Sequence, residues 1–513
     1  MKTKILLLLL GSLSSNASVD VAEALGERLF NEARFSAYFA KQSRGNVNHQ
    51  LKKGSPVVDQ IPTLLGPAPS PFAGSATSCA SCHMVDQGLH IDGVGMRGYN
   101  DAATRTQILY RSKDKRSKTL RNTPALIGIN SQYIAHSFTH FDGELDGITA
   151  TVMGNFTGRN MGWLPNEVEK AKKHLVKVIR EDNGSGELAQ EFGGSYNSVF
   201  TGTDLNIPQD FKLDPEYRLD VKNSTDEEII AKVEEFVFIY VKNIDFSVDD
   251  NGLYNGSAYD QFLAKNNISR GPRKDQSIAS YTNELIREVR KLEQPKYIEA
   301  FQLETHNRVS QFGKEELSGL KIFLNLKSDS RSMCVQCHLP PLFSDTLYHN
   351  VGIAQDEYDS VHGAGSFMKL KVPSLAKKEN EGIKFLSIPE RENPLKADLG
   401  AWNFFSSKNT KFSNFMRDSF CRGGNCDNER LSSLMIGRLK TPTLRNLGHS
   451  APYLHNGSAR NIESVIKQYI KNSQLAKNGQ LRNTAPQLRR MNLKDTDVSD
   501  LSAFIKSLDE VYE

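Results

Sequence analysis

Long apolar runs are almost absent from this chain of 513 residues. Even the stretch from Ile5 to Leu10 is far short of the ~20 residues that cross a bilayer, which excludes a polytopic membrane protein. Neither sign of charge dominates. The 64 Lys and Arg against 60 Asp and Glu leave a net charge of +4, too diffuse for a nucleic-acid surface. Cysteine is scarce, and six residues do not make the framework of a disulfide miniprotein. Tryptophan is scarcer, with two residues, so 26 Phe and 16 Tyr supply most of the aromatic core. At roughly 150 residues per domain, the length allows two to four domains.

Met1 to Ala17 has the layout of an export signal. Lys2 and Lys4 form a basic start, Ile5 to Leu10 an apolar centre, and Ser15-Asn16-Ala17 a small-residue cleavage site. The expectation is a cleaved signal and a soluble, periplasmic chain with no membrane span.

Most of the remaining pattern is helical. Asp20 and Glu23 suggest a capping box opening a helix through Leu25, Leu29 and Phe30. A Gly/Ser/Pro-rich stretch, 54–78, reads as irregular. After Pro165, the residues Val168, Ala171, Leu175, Val178 and Ile179 keep a 3.6 period. Ser224 and Glu227 are expected to cap a helix carrying Ile229, Val233, Phe236, Val237 and Tyr240. Another runs from about Ser277 to Glu293, before Pro295. Leu317, Leu320 and Leu324 mark a further helix. Ile462, Val465, Ile466, Tyr469 and Ile470 make a stripe, as do Val498, Leu501, Ile505 and Leu508. Few segments alternate with period 2, and Gly, Pro, Asn and Ser make 340–443 look like loops. The expected class is all-α, with long loops and little β structure.

Two short motifs carry the chemistry. Cys79-Ala80-Ser81-Cys82-His83 and Cys334-Val335-Gln336-Cys337-His338 are both C-x-x-C-H, the spacing that attaches a c-type haem. The thiols add to the haem vinyl groups and the adjacent histidine becomes the proximal iron ligand. One copy would also fit a redox C-x-x-C beside an unrelated His. Two copies, each after an amphipathic helix, point to two covalently bound haem c groups. The remaining pair, Cys421 and Cys426, encloses Arg-Gly-Gly-Asn; a local disulfide is expected in an oxidising compartment, with two free thiols as the alternative.

Further blocks surround these motifs. They are LGERLFN from Leu25 to Asn31, RNTPAL from Arg121 to Leu126, and Phe141-Asp142-Gly143. KTPTLRN follows from Lys440 to Asn446, and SAPYLHNGS from Ser450 to Ser458. In these blocks, and over nearly the whole mature chain, the sequence resembles the bacterial dihaem cytochrome c peroxidase and MauG family. Extra sequence between the haem motifs and between His338 and Lys440, including TGRNMGWLP, EYDSVHG and DLGAWN, looks like a longer branch. The resemblance implies two cytochrome c-like haem domains: 18–305, with extra helices, and 306–513. It implies a peroxide-binding first haem and a six-coordinate second haem. A calcium ion between them would match Asn122, Ser450 and Pro452, whose carbonyl oxygens suit a hard cation. Arg445 and His455 match positions expected to bond haem propionates, although a lone His such as His455 or His349 is more often an ordinary core or surface residue.

The second axial ligand falls on Tyr469, where peroxidase members have Met and MauG-like members Tyr. A phenolate donates more electron density than a thioether and favours higher iron oxidation states. Tyr469 as a plain core residue, or Met416 or Met435 as ligand, are the alternatives. The distal acid/base is a second departure. In the family a Glu precedes Met-Gly, whereas Asn160 precedes Met161-Gly162 here, and an amide does not shuttle protons near neutral pH. Ala150 stands where the companion Gln is expected. Arg159 would stabilise developing negative charge or simply sit in an exposed loop. Glu144, Asp146, His136 and His140 lie nearby as substitutes. Phe141 replaces the Trp of the inter-haem path.

Three functions remain open. The first is peroxide reduction with electrons from a small redox protein, a monohaem cytochrome c or a cupredoxin. The second is MauG-like oxidation of a protein or peptide. The third is dihaem electron transfer without peroxide chemistry. A homodimer is compatible with all three. Protein made in a cytochrome-maturing host is expected to keep its Soret-absorbing pigment through acidified acetone, whereas colourless polypeptide contradicts the double attachment.

Overall fold

The structure is a computed structural model that describes residues 17–50, 60–63, 66–69, 78–83, 107–111, 116–118, 120–302, 309–378, 382–408, 410–421 and 426–510. Residues 1–16 of the expected signal and most of 54–78 lie outside these. Helices dominate, and the strands form five two-stranded sheets among the described residues. The helical expectation therefore holds, with hairpins added. One hairpin, Gln60–Thr63 with Gly66–Pro69, falls in the stretch read as irregular. No helix among the described residues is long and apolar enough to cross a membrane.

The first core is built on helices Ala17–Asn31, Val168–Glu181 and Asp226–Asn243. The opening helix begins before Asp20, so Asp20 and Glu23 are not its cap. Helix Asp226–Asn243 is capped one residue later than expected. Thr225 Oγ accepts from Glu228 N at 3.2 Å, and the Glu228 carboxylate accepts from Thr225 N at 2.7 Å. Ser224 and Thr225 both have Glu three residues on, so pattern alone does not separate them. Gly26 lets the first helix lie against the third: a Cβ there would meet Phe236 O at 2.1 Å. Arg28, wholly buried, is paid for by Asp182 at 2.9 Å and by the carbonyl of Gly194 at 2.6 Å.

The second core repeats this device. Helix Lys314–Phe323 crosses helix Val498–Lys506, and a Cβ on Gly319 would meet Asp500 O at 1.9 Å. Helices Ala258–Lys265, Ile278–Lys291 and Ile462–Lys477 complete it. The segment 258–302 thus packs with the C-terminal helices. Here Asp260 pairs bidentately with Arg445 at 2.7 and 2.8 Å, both side chains fully buried.

A third core corrects the reading of 340–443 as loops. It contains helices Ile353–His362, Lys411–Phe420 and Asn428–Met435, packed around Trp402, Phe405, Phe412 and Tyr348. These helices have 8 to 10 residues, too few for a periodic stripe to stand out among Gly, Asn and Ser. The Cys421–Cys426 disulfide forms at the end of one of them. Removing one partner from a buried ion pair strands the other charge. Asp260→Ala is therefore expected to lower unfolding stability by ~3–5 kcal/mol in guanidinium titrations; a change below ~1 kcal/mol contradicts the role of that pair.

Candidate active site

Both C-x-x-C-H motifs adopt the same local shape. Cys79–Ser81 and Cys334–Gln336 are single 3-10 turns, and the N–H of His83 and of His338 donates to the carbonyl of the first cysteine at 2.9 Å. None of these four cysteines is in a disulfide. His338 Nδ1 bonds the Phe343 carbonyl at 2.9 Å. A carbonyl only accepts, so Nδ1 carries the proton and Nε2 keeps a lone pair for a metal. Burial lowers the pKa of His338 and drives that of His83 down to about 3, keeping both rings in the neutral, ligating form. His83 Nδ1 is buried without a hydrogen-bond partner among the described residues.

Both motifs open onto one cavity of about 490 Å³, lined mostly by apolar side chains. Its walls bring Cys79, Cys82 and His83 together with Cys334, Cys337 and His338. Paired thiols, a neutral imidazole with a free nitrogen and an apolar cleft fit a c-type haem at each motif.

The wall contributed by the first half is a hairpin tied to a helix. Strands Phe138–Thr139 and Leu145–Asp146 pair, and Thr139 Oγ1 bonds Thr151 Oγ1 at 2.5 Å on helix Ile148–Phe156. Asn155 on that helix accepts from Asn160 Nδ2 at 2.6 Å, and both amides line the cavity. Asn160 is thus on the cavity wall. The side chain of Arg159 is outside the described residues. Glu144 does not line the cavity; its carboxylate bonds Nδ1 of His140 at 3.0 Å, and His140 does line it. His140 has φ 59°, a left-handed conformation costly for a residue with a Cβ and common at functional sites.

In the second half, Tyr469 lines the cavity, and burial, with Cys337 and Cys334 nearby, holds its phenol protonated above the ordinary range. Met416 and Met435 are fully buried in the third core and do not line the cavity. His455 lines it too, with both ring nitrogens buried and without hydrogen bonds among the described residues, and Glu357 at 3.6 Å. His349 also reaches the wall, held by Asp345 at 2.7 Å. The Arg445 guanidinium donates to Asp260 and, at 2.7 Å, to the Pro341 carbonyl, and Arg445 is not among the cavity-lining residues. Asn122 donates through Nδ2 to the carbonyls of Pro452 and, at 3.2 Å, Leu454, while its buried Oδ1 has no hydrogen-bond partner among the described residues. Ser450 lies on the same wall, its Oγ donating to Leu447 O at 3.1 Å.

Sequence reasoning missed one charged junction. Arg121 lies 2.5 Å from Asp142 and is bonded bidentately by Asp398 at 2.6 and 2.7 Å. The RNTPAL and Asp-Gly blocks pointed to two of these residues, but Asp398 sits in the extra DLGAWN segment and carried no signal of its own. Burial opposes ionisation of Asp398, yet the Arg121 guanidinium overcomes it and holds the carboxyl at about 2.

No family model matches the chain. Methylamine utilization protein MauG from Methylophilus methylotrophus is 39% identical over 81 residues, 15% of this chain and 22% of that protein. Cytochrome-c peroxidase IdrP1 from Pseudomonas sp. (strain SCT) is 22% identical over 243 residues, 47% of this chain and 51% of that protein. The chain thus spans about half, or less, of the curated relatives it matches. Among solved structures, the diheme peroxidase BthA from Burkholderia thailandensis shares 14% identity at a TM-score of 0.47, over 95% of this chain and 86% of that one.

Because the folded-state pKa of Asp398 is depressed from 3.8 to about 2, its contribution is present above pH ~4 and lost as pH falls towards 2. Asp398→Asn is expected to melt earlier than the parent at pH 7, with the gap narrowing through that window. A gap unchanged from pH 7 to 2 contradicts the charge-based account.

Proposed function

As a relative of MauG and the cytochrome-c peroxidases, the chain is, we propose, an exported dihaem c-type oxidoreductase. It reduces hydrogen peroxide at a haem held by Cys79, Cys82 and His83. Electrons reach that site through a second haem held by Cys334, Cys337 and His338. The observation that carries this reading is the single cavity lined by both motifs. Groups that share a cleft exchange electrons without leaving it.

The haem supplies the oxidative chemistry; the chain binds, orients and tunes it. His338, its proton committed to the Phe343 carbonyl, presents Nε2 in a fixed direction. Tyr469, on the cavity wall near Cys337, is the proposed second axial ligand on that side. His455, which lines the same space and whose two ring nitrogens have no hydrogen bond among the described residues, is the proposed propionate contact. Asn122, Ser450 and Pro452 are the proposed calcium group: the orphan Oδ1 of Asn122 and the nearby carbonyls form an oxygen-rich corner. The division into two haem lobes belongs to this proposal, with 258–302 assigned by its packing to the second lobe. So does a periplasmic location, with a small cytochrome or cupredoxin as donor.

Tyr469 also favours a second reading, MauG-like oxidation of a protein or peptide, since an oxygen ligand stabilises higher oxidation states than a thioether does. Rapid mixing of the dihaem protein with peroxide tests the first reading. A fast Soret change followed by turnover with a reduced small cytochrome is expected. A fast change without cytochrome turnover favours substrate oxidation. Two low-spin haems that ignore peroxide in every redox state contradict both.

A further inference from the structure

Cleaving a peroxide O–O bond requires one proton to move from the oxygen that is retained to the oxygen that leaves. Asn160, where an acid would be expected, is an amide bonded to another amide, Asn155, and neither transfers protons near neutral pH. Four ionisable residues lie close by in sequence, and the structure separates them. His136 uses both ring nitrogens: Nε2 bonds Thr346 O at 2.7 Å and Nδ1 accepts from Phe138 N at 3.0 Å. Asp146 faces outward and pairs with Lys411 at 2.8 Å. Glu144 is set back from the cavity. Only His140 of the four lines it.

From this we infer that His140, oriented by Glu144, is the acid/base of the first haem pocket. Three observations place it there. The strand that ends just before it is tied through Thr139 and Thr151 to the helix whose Asn155 holds Asn160, so His140 and Asn160 share one wall. His83 lies near enough for His140 to add to burial in disfavouring a charge on the proximal ring. Nδ1 is occupied by Glu144 at 3.0 Å, and no hydrogen bond to a described residue takes Nε2. A carboxylate on Nδ1 fixes the tautomer and makes Nε2 the basic atom. The inference deepens the peroxide reading and rests on it.

The step is limited to the proton. Nε2 accepts it from the oxygen that stays and returns it to the oxygen that leaves as water when the O–O bond breaks, so the imidazole ends as it began. The electron pair for that cleavage comes from the haem site, replenished by the reduced redox protein.

The test compares the dihaem parent, His140→Gln and Glu144→Gln, all checked for full haem content and parental far-UV circular dichroism. The peroxide step is expected to slow by ~10²–10⁴-fold in His140→Gln. Association of cyanide, which reaches iron as HCN and must shed its proton, is expected to slow in the same variant, a readout that needs no turnover. Glu144 is a positioning residue. Glu144→Gln keeps an acceptor for Nδ1 but removes the charge, so the acid limb of the peroxide step should move to lower pH. Asp142, Arg121, Lys440 and His83 are the other titratable groups around this corner, and all stay in place. Parental peroxide and cyanide rates in His140→Gln overturn the inference and leave the peroxide reading standing. A parent inert to peroxide overturns that reading instead, and the cyanide comparison still decides whether His140 faces the iron. Should His140→Gln fail to hold haem, an unshifted pH profile in Glu144→Gln overturns the assignment.

Discussion

Arg121 and Asn122 form the junction on which the arrangement of the three cores depends. One guanidinium answers two buried carboxylates, Asp142 from the hairpin of the first half and Asp398 from the extra segment. The next residue turns the other way: Asn122 N donates to His455 O at 2.7 Å, and its side chain reaches Pro452 and Leu454. Buried charges tolerate this only when every partner is present, so the three segments are placed together or not at all. That junction also borders the cavity, with Arg121 and Asn122 among its lining residues. The geometry of the site is thereby tied to the stability of the fold.

The two halves are alike in how they build a haem cradle. Each has a helix pair in close contact at a glycine, Gly26 or Gly319, and a 3-10 turn that presents two thiols and an imidazole. They differ in what faces the motif. The second half offers Tyr469 near Cys337, an oxygen donor on an otherwise apolar stripe. The first half offers the amides of Asn155 and Asn160 and one imidazole with a carboxylate behind it. Were Tyr469 to ligate the second haem, as proposed, an oxygen-ligated site would stand beside a hydrogen-bonding one, a division of labour suited to storing and using an oxidising equivalent.

Some residues named as candidates also do structural work. Arg445 sits in the KTPTLRN block, yet its guanidinium closes a buried pair with Asp260 and stacks over the Tyr254 ring at 4.3 Å. Met416 and Met435, soft donors by chemistry, fill the third core. Residue type states what a side chain can do; which neighbour it meets is settled by packing.

The haem motifs, the helical class and most helix positions were legible in the sequence because each is a local pattern: two thiols and a histidine at fixed spacing, or apolar residues at a period of 3.6. The third core was not, since its helices are short and its apolar residues come from Phe138, Tyr348, Trp402 and Met435, far apart in the chain. The choice of His140 over His136, Glu144 and Asp146 was also invisible, because all four are polar residues within one short stretch. Spacing alone determined what the chain attaches. Which side chains face that attachment was decided by tertiary structure, through hydrogen bonds such as Thr139–Thr151 and His140–Glu144 that no local period encodes.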